Sequence, residues 1–182
     1  TSLNSFLFII RHWVGNIVVN KDLLDPEPTF ASILMQMTYF FYPLVFIRSI
    51  SKPCRTLTIL FAPLTAIAAV GMLAGIQYTT LDTFADLLHN IWKPDVMFRL
   101  FAVTMMLVYS FALFLVPYDW QKSGADKKFI LKYSLGFCSI GLLLFGLFIT
   151  HARIFTILHQ LSMLFFFFWL IWYELKERLP VP

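Results

Sequence analysis

Asn4, His12, Asn16 and Asn20 stand at multiples of four in the first apolar stretch, with Arg11 beside them. On a helix that spacing gathers them on one face, and Phe6, Ile10, Trp13 and Ile17 take the other. Towards the opposite end of the chain, FITHARIFTILHQ places His151 and Arg153 at a turn, with His159 and Gln160 about two helical turns further on. Gln36 is a polar residue in another apolar stretch and can join them. Should these faces converge, Arg11, His12, Asn16, Gln36, His151, His159 and Gln160 form a polar pocket. A guanidinium flanked by imidazoles and amides suits a small anionic ligand, which it grips by charge-assisted hydrogen bonds. The competing role is structural, because polar side chains between apolar helices commonly bond one another and backbone carbonyls.

Other chemistries fit less well. Haem would need two axial histidines at matched depth on facing helices. Of His12, His89, His151 and His159, only His12 and His159 come near that, and their depths agree loosely. No cofactor is expected, and no metal, since Cys54 and Cys138 make no ligand pair. A phosphate loop, a zinc-protease helix and a serine nucleophile elbow are all absent from the sequence. His151 and His159 as catalytic bases would lack a carboxylate partner within the apolar segments, so the chain does not read as an enzyme.

The elements that must position these residues are apolar. Of 182 residues, 59% are hydrophobic and 13% charged, where a soluble domain carries roughly a quarter charged residues. Six stretches have the length that a membrane helix needs: 3–20, 30–50, 56–79, 96–117, 131–149 and 154–173. The expected fold is therefore an all-α, polytopic transmembrane bundle of about six spans. Whether 3–20 crosses fully is left open by Arg11 and His12 near its middle.

Charge sets the orientation. One set of connections holds Arg48, Lys52, Arg55, Lys122, Lys127, Lys128, Lys132, Lys176 and Arg178; the opposite set holds Lys21, Lys93 and Arg153. The excess of Lys and Arg marks the cytoplasmic side, so both termini are expected there. The net charge of +4 belongs to these short loops and does not imply direct nucleic-acid binding. The other face is acidic, with Asp22, Asp25, Glu27, Asp82, Asp86 and Asp95. Within it, Leu81, Phe84, Leu87, Leu88, Ile91 and Trp92 recur at helical spacing opposite Asp82, Asp86 and His89, which predicts a short amphipathic helix on the outer face.

Small residues mark close helix contacts: Ala62, Ala66, Ala69, Gly71, Ala74 and Gly75 in one segment, Gly136, Gly141 and Gly146 in another. Pro43 and Pro63 should bend their helices, and Trp169, Trp172 and Tyr173 should sit at the inner interface. At the end of the chain, Leu-Lys-Glu-Arg continues a helix into water, with Glu174 and Arg178 at pairing distance. Pro180 and Pro182 then make a stiff exit.

With its basic inner loops, acidic outer ones and the run LFFFFWLIWYELKERLPVP, the chain resembles the membrane-embedded N-terminal half of Bacteroides-type regulators that carry a cytoplasmic AraC-type helix-turn-helix domain. The resemblance covers most of the chain in general pattern and is most specific in those last residues. It implies a transmembrane bundle over 1–173 and, over 174–182, a cytoplasmic linker to an output domain that this sequence lacks; opening on Thr1 and stopping after Pro182, the sequence reads as part of a longer protein. The implied function is a transmembrane sensor or anchor module of a one-component transcription regulator in the bacterial inner membrane. Its partners would be the lipid bilayer, a small anionic ligand on the outer face, DNA through the missing domain, and a second copy, since paired half-sites call for a homodimer. The alternative is a small-solute transporter or permease component, for which the third, fourth and fifth segments offer little polar lining.

Overall fold

Proline at the first turn of a helix gives up an N–H that would have had no partner. This device opens α1 (Pro26–Phe41), α2 (Pro53–Leu73) and α4 (Pro94–Ala112). Asp25 adds a side-chain cap to α1, accepting the Glu27 amide at 3.2 Å. Between α2 and α4, the short α3 (Phe84–His89) starts on a capping box in which Thr83 and Asp86 satisfy each other's backbone amides. The last hairpin pairs α5 (Lys127–Thr150) with α6 (Arg153–Tyr173). The computed structural model describes residues 23–46, 50–119, 121, 127–150 and 152–178. Among them there is no strand, only one isolated bridge between Ile50 and Tyr118.

Among the described residues, four helices are long and apolar enough to cross a membrane: α2, α4, α5 and α6, the last taken as Ile154–Lys176. The described fold is all-helical, and these helices mark a membrane protein. α1 has 16 residues, a rise of about 24 Å, and is prolonged by a π-helical turn over Tyr42–Phe46. Pro43 lies in that turn, so the bend expected from it takes the form of a π segment; Pro63 lies inside α2, as the sequence reading has it. The expected first segment, 3–20, falls outside the described residues.

The observed bounds differ from the sequence segments in two informative places. The segment read as 56–79 ends as a helix at Leu73, because Gly75 takes φ +60°, a left-handed conformation that glycine adopts without strain. Beyond it the chain has no regular secondary structure, and the Tyr78 hydroxyl bonds back to the Gly71 carbonyl at 2.6 Å. In the amphipathic stretch, the helix spans only Phe84–His89, and the apolar residues differ in burial. Leu81 and Leu87 are buried, whereas Phe84, Leu88 and Trp92 are exposed.

α1 packs against α2 and α4, and α5 against α4 and α6. Thr29, Phe30, Ile33, Gln36 and Phe40 are its buried residues, recurring at three- and four-residue steps along one stripe. Glycine lets the backbones close. A Cβ at Gly71 would overlap the ring of Phe30, which is stacked on Phe98 at 5.6 Å. A Cβ at Gly141 would overlap Ser110, so α5 and α4 touch there.

Each end of the bundle is tied by its own polar contacts. At the acidic end, Leu23 N–H donates to Leu81 O at 2.6 Å and Leu24 N–H to Phe148 O at 3.2 Å. Leu24 itself is buried at φ 57°, a strained conformation for leucine. The fully buried Arg99 holds this corner. Its guanidinium donates to Thr79 O at 2.6 Å, to Leu24 O at 3.2 Å and to Asp95 Oδ2 at 3.4 Å. Asp95 in turn accepts the Thr79 amide at 2.7 Å. At the basic end, Ser51 bonds Pro117 O through its amide, at 3.2 Å. An aromatic cluster closes the same end: Phe129 stacks on Tyr173 at 3.7 Å and on Trp169 at 5.2 Å, and Tyr133 stacks on Tyr42 at 5.7 Å.

Candidate functional site

A cavity of about 70 Å³ lies where α1, α4, α5 and α6 face one another. Most of its wall is apolar, with Met35, Met106, Met163 and Phe145 prominent, and no Lys, Arg, Asp or Glu contributes to it. Unbranched methionines adapt to what fills the space beside them. Close passage of α4 and α5 at Gly141 brings Ser110 to this wall as well.

Gln36 and His159 are the polar landmarks. Gln36 Nε2 donates to Met106 O at 2.6 Å and to Ser110 Oγ at 3.1 Å, and Ser110 Oγ donates to Met106 O at 3.0 Å. A carbonyl only accepts, so the nitrogen of the amide must be the atom facing Met106, and its two protons are both used. Gln36 Oε1 is left buried without a partner, and so is His159 Nδ1. Orphaned polar atoms in an apolar surrounding cost about 1–3 kcal/mol each, which makes a cavity carrying two of them a place where something polar is wanted.

Of the residues expected to form the pocket, Gln36 and His159 come together on this one wall. Gln160 Oε1 is also buried without a partner, but Gln160 does not line the cavity. Arg11, His12, Asn16 and His151 lie outside the described residues. His89 is exposed on α3 and belongs to the acidic surface. Among the described residues no group of three or more His, Cys, Asp and Glu stands close enough to hold a metal. Cys54 is exposed in the first turn of α2; Cys138 is buried, its thiol bonded to Ser110 O at 2.9 Å.

The two cavity helices α1 and α6 meet again further along. Tyr39 donates to Met163 Sδ at 3.7 Å, and one turn beyond, Tyr42 donates to the carboxylate of Glu174. Both partners sit in π-helical turns, Tyr42–Phe46 after α1 and Glu174–Arg178 after α6. The bond to Tyr42 joins the carboxylate of Glu174 to the other helix; the side chain of Arg178, its expected partner, lies outside what the structure describes. Lys176 then lies over the Trp172 ring at 4.0 Å.

Sequence reasoning passed over Ser110, Tyr39, Tyr42, Met163 and Arg99. A serine one turn after Met106 in an apolar helix was a visible signal. The Tyr42–Glu174 contact spans 132 positions and had none. An apolar cavity with hydrogen-bond capacity to spare can bind and orient an amphiphile. No protein-family model, curated protein or solved structure matches this chain.

Proposed function

We propose that this chain is the membrane sensor and anchor module of a one-component transcription regulator, as its resemblance to AraC-linked membrane regions implies. The bundle sits in the bacterial inner membrane with about six spans. Both termini lie in the cytoplasm, α3 lies on the outer face, and DNA is engaged by a helix-turn-helix segment outside this sequence. The observation that carries the reading is that α1 and α6 wall the same cavity and are joined again by Tyr42 and Glu174 where α6 leaves the bundle. A ligand that favours one spacing of the two helices shifts the population of the exit helix, since a ligand moves an equilibrium by its differential affinity. The excess of basic residues at that end supports the orientation.

The first test is topological. A fluorescent protein fused after Pro182 is expected to fluoresce, and alkaline phosphatase fused there to stay inactive. An active phosphatase would put the exit helix outside the cell and end the DNA-linked reading. The second test is functional. Arg11→Leu combined with His159→Leu should abolish the transcriptional response of the full regulator while membrane insertion, read by fractionation, is preserved.

A further inference from the structure

We infer that the cavity between α1, α4, α5 and α6 takes a single-chain, uncharged amphiphile whose head group donates a hydrogen bond to Gln36. The argument begins with valence. Gln36 spends both amide protons within the protein, on Met106 O and Ser110 Oγ, and keeps only a carbonyl oxygen that nothing meets. An acceptor with no donor calls for a hydroxyl or an N–H. It does not call for a carboxylate or phosphate, which would set oxygen against oxygen. His159 Nδ1, the other orphan on the wall, completes the head-group site: as a neutral imidazole nitrogen it accepts or donates according to tautomer.

Shape and polarity set the rest of the molecule. On α5 the wall runs from Phe137 to Phe148, a rise of about 16 Å. That length along a methionine- and phenylalanine-lined space suits one alkyl chain. The described wall carries no charged side chain, and burying a charge there unpaired would be expensive. The inference rests on the sensor reading only for its biological purpose; the binding event is a property of this chain alone.

The experiment uses the whole chain in nanodiscs and a ten-carbon primary alcohol bearing a mid-chain diazirine. After illumination, the modified peptides are located by mass spectrometry, with unlabelled decan-1-ol, decane and decanoate as competitors. The expected result is labelling of α1, α5 and α6 residues on the cavity wall, displaced by decan-1-ol about tenfold more effectively than by decane or decanoate. In Gln36→Leu that preference for the alcohol should vanish. Because Gln36→Leu could disturb packing, Leu144→Trp provides an independent variant that fills the space from α5 and leaves Gln36 untouched; it should lose the label altogether. Label confined to lipid-facing residues such as Leu73 and Phe165 overturns the inference, as does equal competition by decane. Preferential competition by decanoate also overturns it, and would assign the site to an anion. Binding as expected with no transcriptional response would sink the sensor reading while leaving this site standing.

Discussion

Arg99 shows how one side chain can fix the register of several segments. Its guanidinium is fully buried and reaches backbone carbonyls at Leu24 and Thr79 as well as Asp95, while its carbon lies 5.5 Å from the Tyr78 ring centroid. Breaking a buried, hydrogen-bonded charge leaves its partners unpaired, at about 3–5 kcal/mol. Arg99→Leu should therefore unfold the acidic corner, read as a lowered thermal midpoint and rapid proteolysis between Thr79 and Lys93. Arg99→Lys should restore little, because an ammonium cannot span carbonyls that a planar fork reaches together. At the other end of the bundle, Tyr133→Phe removes a 2.7 Å bond to the Tyr39 carbonyl, and about 1 kcal/mol of stability in chemical denaturation should go with it. Polar residues in apolar runs stand out in the sequence, and two of them, Gln36 and His159, line one cavity. Which residues answered them was not legible: Gln36 meets Ser110 across 74 positions, a distance no spacing rule covers. Arg99 gave no such signal, since only the fold brings the carbonyls of Leu24 and Thr79 towards it.

Helices were the most legible scale, since length and apolarity are sequence properties. The last segment, read as 154–173, is observed as Arg153–Tyr173, and 131–149 as Lys127–Thr150. Ends that depend on tertiary contacts were harder to read. α2 stops at Leu73 because Gly75 turns the chain and Tyr78 folds back upon it; the amphipathic stretch splits its apolar residues because Leu81 and Leu87 plug the bundle while Trp92 points away. Of the glycines read as contact points, Gly71, Gly136, Gly141 and Gly146 each close on a particular neighbour, whereas Gly75 meets nothing and serves the turn instead. Gly71 faces the Phe30 ring and Gly141 faces Ser110. The two should differ in consequence. Phe30 is held between Phe98 and Tyr78 and has nowhere to move, so Gly71→Ala separates α1 from α2 at about 1–3 kcal/mol. Gly141→Ala pushes on Ser110, which is part of the Gln36 network, so it should loosen both the α4–α5 contact and the head-group site. Equal thermal stability of wild type and both variants would mean that these helices do not approach as closely as described.

For the whole molecule, the question is whether a change at the cavity can reach the end of α6. The two helices form a lever pair: they share the cavity wall, touch at Tyr39 and Met163, and are joined at Tyr42 and Glu174. A hydrogen bond to a carboxylate in a partly buried position contributes about 1–2 kcal/mol, enough to change a two-state ratio five- to thirtyfold. That is the right size for a catch that holds one arrangement yet yields to a ligand of ordinary affinity. Tyr42→Phe removes the donor and Glu174→Gln removes the charge, so either should free the exit helix without disturbing the aromatic cluster around Phe129. Spin labels at cysteines replacing the exposed Phe41 and Leu175, with the exposed Cys54 changed to serine, report the separation directly. Wild type should give a narrow distance distribution, and both variants a broader one with a second, longer population. Adding the cavity's amphiphile should shift the wild-type distribution towards one of those populations and the variants' less. If the distribution is the same in wild type and both variants, the Tyr42–Glu174 bond is packing without leverage, and α6 would have to be moved from elsewhere in the bundle.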